Sequence, residues 1–172
     1  MAGEPIIATK EFHGLRVEVD TFVSFEEVLR RLRGVMGAAS ASEIVALAKE
    51  AISEADYVQK VQERFVGESG FMLFHEIDHG GWLPRFGVDR RMVRWILGNP
   101  AIAITMIRQD IIAGLFAPVE ILVTEKESGA GATITYVRPS SLIVIEENPL
   151  LQRAANALDE KLDALVAKAA TG

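Results

Sequence analysis

The stretch Gly70–Gly81, GFMLFHEIDHGG, constrains the fold most, because its backbone conformation decides both its packing and the chemistry open to it. Phe71, Met72, Leu73, Phe74 and Ile77 crowd into a segment closed by glycine at each end. Helices shorter than about 12–15 residues are marginal, whereas short aromatic and apolar runs ending at glycine read as strands entering turns. A strand running into a glycine turn is the expectation.

The same residues spell H-E-x-x-H as His75-Glu76-Ile77-Asp78-His79. On a helix that pattern stacks two imidazoles around one zinc at about 2.0–2.1 Å, and the Glu activates a metal-bound water. Along a strand the two His stand four steps apart, about 13 Å at roughly 3.3 Å per residue, too far for easy joint ligation. No His follows His79, and no later helix offers an obvious Glu with a supporting Asp. No metal and no cofactor are expected. A metal-dependent hydrolase using His75, Glu76 and His79 is the rival reading, and a protein-interaction module a second rival.

Composition narrows the classes further. With 172 residues, 49% of them hydrophobic, and 18 basic against 24 acidic side chains, the chain suits one domain over residues 1–172. The net charge of −6 disfavours a nucleic-acid partner. No apolar run approaches the roughly 18–20 residues of a membrane span. The segment from Met1 to Lys10 has neither a basic nor an apolar signal region, so a cytoplasmic location is expected. Absence of Cys removes disulfides, thiolate zinc sites and Cys nucleophiles. No G-x-S-x-G elbow, G-x-G-x-x-G loop or P-loop occurs.

Alternation of Leu15, Val17 and Val19 with Arg16, Glu18 and Asp20 predicts a first strand. Ser24 with Glu27, and Ser40 with Glu43, have capping-box spacing before two helices, the second running towards Gly67 with a possible break over Ser53–Asp56. Met92–Leu97 reads as a strand, after which Asn99 caps a helix starting at Pro100. Val119–Glu125 and Thr133–Val137 form a hairpin around Gly129 and Gly131, and Ser141–Glu146 is expected as an edge strand. Asn148-Pro149 opens a final amphipathic helix over 147–172, with a stripe from Leu151 to Val166. The fold class is α+β: a mostly antiparallel sheet of four or five strands with packed helices, one of them inserted before the HEIDH strand.

Several segments together resemble the domain of unknown function 302 family. They are Gly70–Trp82, with the family's Asp-His pair at Asp78 and His79, then LGNP at Leu97–Pro100, GLFAPVEILVTE at Gly114–Glu125, and YVRP at Tyr136–Pro139. The likeness covers residues 10–146, and Leu158–Leu162 is similar to the ending of longer members. Two departures stand out: a longer helical stretch between Gly34 and Gly67, and AIAITM after the GNP where many members carry small residues. The resemblance implies a small α+β domain, often dimeric, with no established activity.

The site expected from these residues is a small-ligand cleft around Asp78 and His79, where a strand enters a glycine turn. His titrates near neutral pH, and a carboxylate can orient or charge it. The plainer account of Asp78 is a turn stabiliser. Asn99, Arg85, Glu125 and Tyr136 are placed on the same cleft, although Asn99 also reads as a helix cap and Glu125 and Tyr136 as hairpin-end residues. Arg90, Arg91 and Arg94 join Arg85 as the densest positive group. Expected partners are a small molecule and a second copy of the chain, with the C-terminal helix as a dimer surface.

Overall fold

The computed structural model describes residues 4–172, so the first three residues of the opening segment lie outside the description. Six strands form one sheet in the order β1-β6-β5-β4-β3-β2. They are β1 (Arg16–Thr21), β2 (Gly37–Ala38), β3 (Met72–Asp78), β4 (Met92–Gly98), β5 (Val119–Glu125) and β6 (Ala132–Val137). Neighbours run antiparallel except β2 and β3, which are parallel. The helices are α1 (Phe25–Val35), α2 (Ala41–Glu50), α3 (Glu54–Phe65), α4 (Pro100–Ile107), α5 (Pro139–Ile143) and α6 (Pro149–Ala170). The α+β class expected from the sequence is what forms, with a mixed sheet of six strands rather than four or five.

One face of the sheet carries the main core. Val93, Trp95 and Leu97 of β4, Ile121 and Val123 of β5, and Ile134 and Tyr136 of β6 are buried there against α1 and α6. Ser24 caps α1 by accepting the Glu27 N–H at 3.3 Å, and Phe25, Val28, Leu29 and Leu32 turn inward. Glu27 does not complete the reciprocal box; its carboxylate binds Arg30 and Arg31, which hold its pKa down at about 2. The stripe of α6, Leu151, Ala155, Leu158, Leu162, Leu165, Val166 and Ala169, is buried in the same core. That stripe is therefore interior.

A smaller cluster of Ala39, Leu47, Val61 and Met72 lies where α2 and α3 cover the β2–β3 edge. The stretch expected as one helix is two, because Ser53 caps α3 through the Asp56 N–H at 3.1 Å while Asp56 accepts the Ile52 N–H at 3.0 Å. The two residues of β2 are held by the close approach of Gly37 to the end of α3, where a Cβ would sit 1.7 Å from the Phe65 carbonyl oxygen. Ser141–Glu146 is not an edge strand. Pro139 starts α5 instead, and Asp159 of α6 accepts the Ser140 N–H at 2.9 Å, a long-range cap that favours the helical turn. Among the described residues no helix is long and apolar enough to cross a membrane.

Candidate functional site

Strand β3 is extended through His75-Glu76-Ile77-Asp78, so the backbone expected from the glycine-bounded run is the one that forms. Its register against β4 slips at Phe74: Leu73 lies opposite Leu97, and the next pair is His75 with Ile96. This one-residue bulge reverses the later facing of the strand. Glu76 comes opposite Trp95 on the core side, while His75 and Ile77 share the open face with Ile96 and Arg94.

Glu76 consequently has a structural task. Its carboxylate accepts the indole N–H of the fully buried Trp95 at 2.8 Å and forms an ion pair with Arg33 from the last turn of α1. The Arg33 guanidinium lies 5.1 Å from the centroid of the Trp95 ring. Sequence reasoning missed this trio. The usable signal was Trp95 itself, since a buried indole needs an acceptor. Among the described residues, no group of three or more His, Asp or Glu side chains is arranged to hold a metal ion.

Asp78 closes the turn after β3: its Oδ1 accepts the Gly81 N–H at 3.2 Å, and the His79 carbonyl accepts the N–H groups of Trp82 and Leu83. The His79 ring meets Trp82 edge-on at 5.6 Å, and Trp82 meets Phe86 similarly at 5.8 Å. His79 Nδ1 is buried without a hydrogen-bond partner. Arg85 sits in the short turn Leu83–Phe86, exposed. Glu125 reaches the same end of the sheet, where Arg91 binds its carboxylate at 3.0 Å and Arg90 binds its carbonyl at 2.7 Å. The Arg91 guanidinium holds the Glu125 carboxyl below its usual value.

Asn99 and Tyr136 lie elsewhere. Asn99 follows Gly98, which pairs with Met72, so six strand steps, about 20 Å, separate that row from Asp78. Asn99 is buried, caps α4 through the Ala101 N–H at 2.9 Å, and donates to the Gly70 carbonyl at 2.9 Å. Tyr136 faces α6 from β6, three strands away in the sheet order, and its phenol donates to Asp163. Burial, then the Asp163 carboxylate, push the phenol pKa well above its ordinary value. Arg138 ties Asp163 at 3.1 Å. Asp78, His79, Arg85 and Glu125 thus share one end of the sheet, and the six residues do not rim a single cleft.

Two recesses flank α4 at the Asn99 end. A cavity of about 200 Å³ is bounded by Phe71, Phe74, Asn99, Ile102, Met106 and Leu158. On the other flank of α4, a groove of about 570 Å³ runs beside Ala48, Ala51, Tyr57, Val58 and Ile104. Pro100 and Ala103 line both. In α4, PAIAITMI, Thr105 is the single polar side chain, yet only Met106 is buried. A helix apolar all round is ordinarily buried all round. Half-buried Ile102, Ala103, Ile104 and Ile107 instead face these two recesses.

No curated protein matches the chain. The fold is similar to that of the crystal structure of uncharacterized conserved protein DUF302 from Bacillus stearothermophilus, with a TM-score of 0.61 and 18% sequence identity over 90% of this chain and 98% of that one. The family model described as domain of unknown function DUF302 matches residues 45–169, from within α2 to near the end of α6. That match spans most of the sequence, and the chain belongs to the DUF302 family.

Proposed function

We propose that this chain is a small-ligand-binding domain whose ligand lies against α4, with no catalytic role assigned to it. The observation that carries the reading is the uniformly apolar α4 between two recesses. The larger recess falls within the roughly 300–1,000 Å³ of ordinary small-molecule sites. The test is binding of 1-decanol, read as a rise in melting temperature and by calorimetry, in the unaltered chain and in Ala103→Leu. The substitution places three extra carbons between the two recesses. Binding lost in Ala103→Leu supports the reading; binding absent from the unaltered chain, or unchanged in the variant, removes it.

His79 carries a second reading, favoured by its buried, unpartnered Nδ1. A ligand accepting from or donating to that nitrogen would be lost in His79→Ala and kept in Ala103→Leu. The chain is further proposed to act as a cytoplasmic homodimer. Ile111, Ile112 and Leu115, exposed together on the turn after α4, support self-association. A dimer in sedimentation velocity that dissociates in Leu115→Glu is the expected outcome; a monomer at all concentrations contradicts it.

A further inference from the structure

The groove between the α2–α3 elbow and α4 has a polar end and an apolar length. Ala48, Ala51, Ala101 and Ala103 leave room along it, and Val58 and Ile104 wall it. From Ala101 to Arg108 the α4 flank is about 10 Å long at roughly 1.5 Å per residue. The charged side chains that line it are Glu54 and Arg108. Arg108 Nη2 binds Glu54 Oε2 at 2.6 Å, with the two side chains 54% and 64% exposed.

An ion pair so open to water contributes little, and either partner can exchange it for another. Arg108 has further N–H donors in a planar fork that matches a carboxylate through two parallel bonds. Tyr57 lines the same groove, and burial raises its phenol pKa, so the hydroxyl stays a neutral donor. Ser53 and the first turn of α3 add the positive end of a twelve-residue helix. Glu54 is the opposing group: an incoming anion must displace its carboxylate into solvent.

We infer that the groove takes an amphipathic anion, a medium-length aliphatic carboxylate, with its chain along α4 and its head on Arg108 and Tyr57. This rests on the small-ligand reading above and adds the class of ligand. The test titrates the full chain calorimetrically with decanoate, 1-decanol and decylamine, each below its aggregation concentration. Decanoate is expected to bind about tenfold or more tighter than 1-decanol, as a charge-assisted bidentate pair would give. Arg108→Gln should erase that preference while leaving 1-decanol binding intact, and Glu54→Gln should strengthen decanoate binding. Equal affinity for the acid and the alcohol, tighter binding of decylamine, or a preference that survives Arg108→Gln overturns the ligand class alone. Failure of all three probes overturns the small-ligand reading together with it.

Discussion

The two ends of the β3–β4 pair differ in a way that inverts a common expectation. At the Asp78 end the residue types that carry chemistry are dense, and both carboxylates already have protein partners: Asp78 holds Gly81, and Glu125 holds Arg91. At the Asn99 end the sequence is bland, yet that is where two recesses flank an apolar helix. Polar residues at a strand end mark a turn that must be stabilised as readily as a site. Space for a ligand arises where apolar side chains fail to close on one another, which no single residue type announces.

The two ends should differ most in what a truncation costs in stability. Leu158→Ala, in the core beside the cavity, should lower unfolding free energy by about 2–5 kcal/mol in denaturant titrations, because lost burial adds to an enlarged void. Next comes Glu76→Ala, which strands the Trp95 N–H and should cost about 1–3 kcal/mol, with Glu76→Gln retaining most of the stability through its amide oxygen. If Glu76→Ala leaves stability unchanged, its role beneath Trp95 is wrong. Asp78→Ala removes one turn bond and should cost only about 0.5–1.5 kcal/mol. A loss at Asp78 equal to that at Leu158 would erase the contrast between the ends.

The smallest effects are pH-dependent. Tyr136 keeps its proton longer folded than unfolded, so its contribution is full below the ordinary phenol value of 10.0 and declines as pH rises above it. Tyr136→Phe should flatten that alkaline decline in melting temperature. Glu125 has the opposite sign: its folded pKa is depressed, so its contribution is present above the ordinary value of 4.5 and fades on acidification. Glu125→Gln should flatten the acid decline and leave the alkaline side alone.

Periodicity and caps made much of this architecture legible. Val17 and Val19 on β1, Ser24, Ser40, Asn99 and Asn148 as caps, and the β5–β6 hairpin follow from local rules, and they form. What escaped depends on distant partners. The two residues of β2 are too few to alternate and exist through pairing with Met72 and Leu73. Helix α5 is capped by Asp159, far along the chain. The bulge at Phe74 has no sequence mark, yet it sends Glu76 inward to Trp95. For the candidate site, the turn at Asp78 and the cap at Asn99 were readable, but their separation was not, because it is set by which way β4 returns along β3.

Paired variants locate the ligand most directly. Calorimetric titration of decanoate into the unaltered chain, Ala103→Leu and His79→Ala should give binding in the first and third and none in the second. Binding abolished by His79→Ala and untouched by Ala103→Leu would place the site at the other end of the sheet and contradict the account.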